Sequence, residues 1–221
     1  MNLLGIPMTE RSFSFARGRV VAALIGAGLL LSGCQGGGPT PGTSPSASST
    51  STSPSATPTP SATPSAKYVP ASAKGKAQNV PVPVKPALAD QNSKAGLEAF
   101  TKYWFALLDY GYQTGDLKTW TELTGSNCPF CDSLKKDIGT VYSDNEWMVG
   151  GKLATPSVDA KWQAGVRSQS VVVQVVQARI DYFDAAGPAG KSSPPSNTAV
   201  ALFAEHAGKS WKVVELGRLG S

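Results

Sequence analysis

The residues best able to do chemistry in this chain are its three cysteines and its single histidine. Cys34 stands alone, Cys128 and Cys131 form a Cys-x-x-Cys pair, and His206 lies far from both in the sequence. A Cys-x-x-Cys pair can close as a disulfide, exchange disulfides or bind a metal. A single histidine offers one acid–base group. What these side chains do depends on the elements that carry them.

The segment before Cys34 has the layout of an export signal. Arginines at positions 11, 17 and 19 precede an uncharged apolar run, Val20–Leu31. The run suits the apolar region of a signal peptide and is shorter than the about 20 residues that a membrane-spanning helix needs. The sequence therefore predicts a signal peptide over residues 1–33.

The four residues Leu31, Ser32, Gly33 and Cys34 close this segment and resemble a bacterial lipobox. The resemblance implies cleavage before Cys34 and a diacylglyceryl group on its sulfur. Two acyl chains anchor durably, since each buried methylene contributes about 0.8 kcal/mol. We therefore expect a lipid anchor on the extracytoplasmic face of the cell membrane, with membrane lipid as a partner. The alternative is an ordinary cleaved signal peptide with a leftover cysteine.

A long polar segment follows the anchor. Gln35 to Ala66 contains only Gln, Gly, Pro, Thr, Ser and Ala, so it cannot bury a core. Four lysines then appear before the apolar pattern begins near Asp90. The sequence predicts that residues 34–89 are the lipidated cysteine and a disordered linker, and that residues 90–221 are the folded domain.

The pair Cys128 and Cys131 admits three interpretations. A zinc site would need two more ligands, and His206 is the only histidine. Thioredoxin-type exchange places the motif after a strand in a βαβ unit, which this pattern lacks, although a helix N-terminus could still lower a thiol pKa. Export to an oxidising compartment favours a closed structural disulfide that fixes the start of the third helix. Redox exchange and free thiols stay open as alternatives.

His206 lies at a predicted hairpin turn, and nothing in the sequence places a nucleophile or an acid beside it. Acids such as Asp109 and Asp116 suit the surface or cap of a helix. We therefore predict no catalytic residue, no metal site and no cofactor, and we expect that the protein is not an enzyme.

The domain opens with helical spacing. Apolar residues from Leu97 to Leu108 predict a helix over 93–113, capped by Asn92 or Ser93 and ended at Gly115. Asp116 then caps a short second helix. A third begins at Asn127 or Cys128, with Pro129 in its first turn.

After Asn145 the pattern indicates strands. The stretch from Arg167 to Phe183 is rich in Val, Ile and aromatic residues and predicts one long strand. The following segment, DAAGPAGKSSPPS, is interpreted as a loop, and a hairpin is predicted around Ala207 and Gly208. The order predicts an α+β fold, with three helices packed on a curved antiparallel sheet of about four strands.

The run FTKYWFALLDYGYQTGDLKTWTEL, followed by CPFC and a strand meander, resembles an uncharacterised family of actinobacterial lipoproteins. Gly115, Asp116 and Trp120 match the turn between its first two helices. The resemblance implies a cone-shaped domain similar to nuclear transport factor two-like or cystatin-like folds. It implies no catalytic residues, because that family has no established activity.

The aromatic residues are the remaining candidates for a ligand site. A cone fold has an open mouth, where aromatic side chains could bind an apolar or sugar-like ligand. Trp147, Trp162 and Tyr103 are the predicted pocket residues, against the simpler interpretation that they pack in the core.

Charge excludes one class of partner. The chain has a net charge of +5, but residues 90–221 hold 13 basic and 14 acidic side chains, so the predicted domain is not basic. Nucleic acid is therefore not an expected partner. We expect a surface lipoprotein with a non-catalytic domain that binds a cell-wall polymer or an envelope protein. The alternatives are a thiol–disulfide exchange protein and a cone-fold enzyme.

Overall fold

The computed structural model describes residues 66–220. The predicted signal peptide, the lipobox from Leu31 to Cys34 and the predicted linker up to residue 65 lie outside the described residues and stay predictions. The described part is α+β, as the order of patterns predicts, with three helices followed by antiparallel strands.

The first helix, α1, spans Lys94–Thr114, close to the predicted 93–113. Ser93 caps it, because its Oγ accepts a hydrogen bond from the N–H of Gly96 at 3.1 Å. Gly115 ends it with a φ of 78°, a left-handed conformation that suits glycine. The predicted apolar face is buried in the core: Leu97, Phe100, Trp104, Leu107 and Leu108.

Two shorter helices follow, α2 over Lys118–Glu122 and α3 over Pro129–Ser143. The Oδ1 of Asp116 accepts a hydrogen bond from the N–H of Lys118 at 2.9 Å, which orders the turn before α2. Of the two predicted starting residues, Asn127 and Cys128, it is Cys128 that caps α3, and Pro129 occupies the first position, where its missing N–H costs nothing. The predicted inner face of α3 is buried: Phe130, Leu134, Ile138 and Val141.

Seven strands follow α3, where the sequence predicts about four. They are Trp147–Gly150 (β1), Leu153–Ala160 (β2), Ser168–Gln177 (β3), Ile180–Asp184 (β4), Gly187–Ser193 (β5), Ser196–Ala207 (β6) and Ser210–Arg218 (β7). They form a three-stranded sheet in the order β1-β4-β5 and a four-stranded sheet in the order β2-β3-β6-β7.

The prediction of a single strand over Arg167–Phe183 is wrong, because this segment forms two strands, β3 and β4. The break lies opposite Gly150 and Gly151, whose φ angles are 86° and 72°. A Cβ on Gly150 would come within 2.3 Å of the carbonyl oxygen of Arg179. The two glycines therefore permit a sharp bend that separates the sheets. The apolar composition of Arg167–Phe183 does not reveal the matching break in that segment.

The prediction of a loop after β4 is also wrong, because Gly187–Ser193 forms β5 and pairs with β4. Its residues are small or polar, so the segment lacks an apolar strand pattern, and its ladder with β4 determines its conformation. The predicted hairpin is confirmed, since Ala207 at the end of β6 pairs with Ser210 at the start of β7.

The domain begins before the predicted boundary at residue 90. Residues 67–86, here called the strap, are described and precede a short 3₁₀ helix over Ala87–Asp90. Backbone pairs join Val69 to Gln78 and Ser72 to Gly75, so the first half of the strap is a small hairpin. Residues 66–89 therefore belong with the domain, and the linker assignment does not hold for them.

The predicted disulfide is confirmed, since Cys128 and Cys131 are bonded with a Cα–Cα distance of 5.2 Å. Cys128 has no exposed surface and Cys131 is 1% exposed. The bond closes the first turn of α3 within the core, which is the place that the sequence analysis gives it.

Replacing Cys128 and Cys131 together by alanine should lower the free energy of unfolding by about 2 kcal/mol, the loss expected for so short a loop. For a domain of this size the melting midpoint should fall by roughly 4–8 °C. Thermal unfolding followed by circular dichroism measures the difference from the unchanged protein.

Alkylation of the denatured protein, with and without prior reduction, is the matched control, and the mass of the peptide that carries both cysteines is measured. We expect no alkylated thiol without reductant. Two alkylated thiols in the denatured, unreduced protein would contradict the disulfide.

Candidate functional site

A cavity inside the domain lies between α1, α3 and the four-stranded sheet. It has a volume of about 20 Å³, which is little more than one water molecule requires. Apart from Thr198, its lining is apolar: Phe105, Leu108, Tyr112, Phe130, Leu134, Leu153, Val175, Val200 and Leu216. This cavity has no room for a substrate.

Aromatic side chains of α1 and α2 pack against one another in the core. The rings of Trp104 and Trp120 have centroids 4.9 Å apart, and the ring of Phe105 lies edge-on to Trp104 at 5.0 Å. The indole N–H of Trp104 donates to Thr124 Oγ1 at 3.0 Å, so its polar atom is satisfied within the core. These indoles are structural, as the core-packing interpretation predicts for Trp104 and Trp120.

Asp109, which the sequence analysis assigns to a helix surface or cap, is instead buried, with 7% of its surface exposed, and both of its carboxylate oxygens accept hydrogen bonds. Its Oδ1 accepts from the N–H of Leu153 at 2.8 Å, and its Oδ2 accepts from Lys152 Nζ at 2.6 Å and Gln113 Nε2 at 3.1 Å. The carboxylate thus joins α1 to the start of β2. These contacts give the Asp109 carboxylate a structural role, because they connect α1 to β2.

Three tyrosines, of which Tyr112 and Tyr182 are buried and Tyr142 is half-buried, lie near the C-terminal end of α1 and near β4. Burial raises the pKa of Tyr112 and of Tyr182, and raises the pKa of Tyr142 to about 12. Tyr142 donates to the carbonyl of Tyr112 at 2.7 Å. These phenols stay protonated at neutral pH and cannot act there as bases.

His206 contacts the backbone that leads into α1. Its Nε2 lies 2.9 Å from the carbonyl oxygen of Asp90, so this nitrogen must donate. Its ring lies edge-on to Trp211 at 5.0 Å, and Trp211 in turn donates to the carbonyl of Gln91 at 3.0 Å. Both side chains hold the junction between the 3₁₀ helix and α1.

The structure does not bring the three predicted pocket residues together. Trp147 is 7% exposed and lies under the strap, where its indole N–H donates to the carbonyl of Ser72 at 2.8 Å. Trp162 packs edge-on to Trp211 at 6.0 Å. Of the three, Tyr103 alone lines the larger of the two cavities described here.

Side-chain contacts attach both ends of the strap to the rest of the domain. Near its start Tyr68 donates to Gln113 Oε1 at 2.9 Å, and Lys76 Nζ lies 5.6 Å from the centre of the Tyr142 ring. Near its end Lys85 forms an ion pair with Asp90. Because Gln113 lies near the end of α1 and Asp90 just before its start, the strap runs along the length of this helix.

An open groove of about 460 Å³ lies between the second half of the strap and α1, and we call it the strap groove. Its volume is within the range of small ligand sites. It is lined by Pro83, Val84, Pro86, Leu88, Ala95, Glu98, Ala99, Lys102, Tyr103 and Ala106. Two apolar side chains that line it are open to solvent, since Val84 on the strap is 86% exposed and Leu88 in the 3₁₀ helix is 41% exposed.

Two charged side chains lie in this lining, Glu98 and Lys102. The hydrogen bond from the Lys94 ammonium lowers the pKa of the Glu98 carboxyl, which also accepts from the N–H of Ala160 at 3.2 Å. Glu98 is therefore ionised at neutral pH. The groove combines an apolar surface with one charge of each sign, so it has no preference for an anionic polymer.

Sequence analysis missed the strap groove because it assigned the strap to the linker. The signal was a change in composition after Ala66, where lysines, Tyr68 and several valines replace the uncharged small residues.

No metal site is found between residues 66 and 220, since no group of three or more His, Cys, Asp or Glu side chains there could hold an ion. Within the same residues, no helix has both the length and the apolar character needed to cross a bilayer.

Comparison with known proteins gives a family but no activity. A family of unknown function (DUF6318) matches residues 66–217, which include the strap. No curated protein matches the chain.

Several solved structures are similar at low identity. The intermembrane space region of the chloroplast protein ARC6 is 9% identical, with a TM-score of 0.45 over 59% of this chain and 99% of that one. An uncharacterised protein with a cystatin-like fold from Caulobacter vibrioides is 12% identical, with a TM-score of 0.36 over 54% and 87%. An NTF2-like protein from Anabaena variabilis is 15% identical, with a TM-score of 0.31 over 59% and 93%.

Proposed function

We propose that this chain, which belongs to a family of unknown function (DUF6318), is a membrane-anchored surface lipoprotein whose domain binds a protein partner without catalysis. Cys34 would carry the lipid on the extracytoplasmic face of the membrane. The strap groove would be the binding surface.

One observation supports the non-catalytic part of the proposal, namely the difference in size between the inner cavity and the strap groove. The inner cavity has a volume of about 20 Å³, whereas the strap groove has about 460 Å³. Ligand and catalytic cavities are usually about 300–1,000 Å³. Asp109, a buried acid, is bonded to Lys152 and Leu153.

The composition of the groove favours a protein segment over a wall polymer. Recognition of a carbohydrate or a phosphate polymer requires several polar groups or a cationic cluster. The groove has one lysine, one carboxylate and the ring of Tyr103, which is 8% exposed. Its proline, valine, leucine and alanine side chains instead match the apolar side chains of an extended peptide.

The burial of the cysteines argues against the thiol–disulfide exchange alternative. Exchange begins with attack of a thiolate on an accessible disulfide sulfur. Cys128 and Cys131 are 0% and 1% exposed, so an attacking thiolate has no path to them while the domain is folded.

Replacing Cys34 by alanine should release the protein from the membrane or leave an unprocessed precursor, because the thiol that accepts the lipid is absent. Cells grown with labelled palmitate are fractionated, and label and protein are followed together. Cys128→Ala in the same full chain is the control, and this variant should keep both the palmitate label and the membrane location. Membrane retention of the Cys34→Ala protein at the level of the unchanged protein would overturn the anchor.

A photoreactive residue in place of Ala106 should form a covalent adduct with a protein in intact cells, because Ala106 lines the strap groove. The same residue in place of Lys118, which is exposed on α2 away from the groove lining, is the control. Denaturing electrophoresis and mass spectrometry of the adducts identify the partner class. Adducts with glycan alone, or equal adducts at both positions, would contradict a protein-binding groove.

A further inference from the structure

The middle of the strap is an extended segment whose backbone groups are available for hydrogen bonds. It reads Val80-Pro81-Val82-Pro83-Val84. Among the residues that the structure describes, none forms a hydrogen bond with the backbone of Val82 or Val84. Their side chains are 64% and 86% exposed. Such a row of free donors and acceptors is what the edge of a sheet offers to another chain.

The prolines give this segment one edge that can pair and one that cannot. Proline fixes its own φ near −65° and forces the preceding residue into an extended conformation, so Val80 and Val82 are extended by covalent constraint. In an extended chain, successive residues direct their backbone groups to opposite edges. Pro81 and Pro83 leave one edge without donors, while the valines supply donors and acceptors on the other.

The segment is also symmetrical in sequence about Val82. When two copies run antiparallel with Val82 opposite Val82, each Val80 lies opposite a Val84. In this register each of the three valines can both donate and accept across the pair. The valine side chains then face valine side chains, and β-branched cross-strand pairs contribute about 0.2–1 kcal/mol each.

Charges flanking the segment do not oppose this pairing. The nearest charged residue is Lys85, which would lie opposite Asn79 of the second copy. Lys85 is already paired with Asp90 in its own chain, so no like charges face one another. The strap groove beside Pro83 and Val84 leaves about 460 Å³ for an approaching segment.

We propose that the partner at the strap groove is a second copy of this chain, joined by antiparallel pairing of residues 80–84 about a two-fold axis through Val82. Pairing of so few residues buries less than the about 1,200 Å² typical of stable complexes. The dimer therefore forms where a membrane anchor concentrates the chains, and in this respect it rests on the proposed function.

The test introduces one additional cysteine into the full chain and is carried out in intact cells. Directly opposed residues of a hydrogen-bonded antiparallel pair have Cα atoms about 5.5 Å apart, a distance that a disulfide can bridge. On mild oxidation, Val82→Cys should give a disulfide-linked homodimer at least tenfold above Val166→Cys, whose valine is 45% exposed outside the strap. Val80→Cys and Val84→Cys, expressed together, should give a mixed dimer that neither gives alone.

A second variant tests the backbone bonds themselves. Val82→Pro removes the central donor, which forms no hydrogen bond with the described residues, and Val82→Thr keeps the donor and the β-branched shape. Added to the pair Val80→Cys and Val84→Cys, Val82→Pro should reduce the mixed dimer at least fivefold, and Val82→Thr should leave it unchanged. Circular dichroism should show the same melting midpoint for both.

A Val82→Cys homodimer no more abundant than that of Val166→Cys would overturn the pairing. Capture of a different protein by Val82→Cys would also overturn it while leaving the proposed binding function in place. If Cys34→Ala fails to release the chain and the Val82→Cys homodimer still forms, the pairing stands and the anchor alone fails.

Discussion

The packing of α1 determines where this domain can interact with other molecules. One side of the helix carries large aromatic and aliphatic side chains, among them Trp104 and Phe105, that fill the space against the strands. The other side carries alanines at positions 95, 99 and 106, which leave room beside the strap. Because the large side chains point inward, the inner cavity beside α1 is small, and the larger strap groove lies on the outer side of the helix. This division of one helix supports the proposal of a binding surface at the strap groove.

The strap makes the outer surface usable, since without it α1 would face solvent. Its hairpin is fixed over Trp147 by the indole hydrogen bond to Ser72, and its far end is fixed by Lys85 and Asp90. Between these points the prolines keep the chain extended and prevent it from collapsing onto the alanines. The result is a short, extended backbone edge beside an apolar groove. This segment has already lost its conformational entropy on folding, so binding does not have to order it.

The sequence predicts those parts of the fold whose causes are local. The helix ends depend on side chains within one turn. The sequence narrows the start of α1 to Asn92 or Ser93 and that of α3 to Asn127 or Cys128, and the structure has Ser93, Cys128 and the end of α1 at Gly115. The strap, in contrast, is stabilised by partners 45 and 75 positions away, such as Tyr68 with Gln113 and Ser72 with Trp147, which no local pattern contains. The same holds for β5, whose conformation comes from its ladder with β4. The groove could not be predicted because one of its walls was assigned to a linker.

Backbone hydrogen exchange in the full chain, in dilute detergent solution, tests most directly whether the strap is a folded part of the domain with a free edge. The amides of Val69, Ser72, Gly75 and Gln78 each donate to a backbone carbonyl, whereas those of Val82 and Val84 donate to none among residues 66–220. The account predicts that the first four exchange slowly, as bonded amides of a folded element do, and that the last two exchange at the rate of an unprotected peptide. Equally fast exchange at all six amides would contradict it, because the strap would then not be part of the fold.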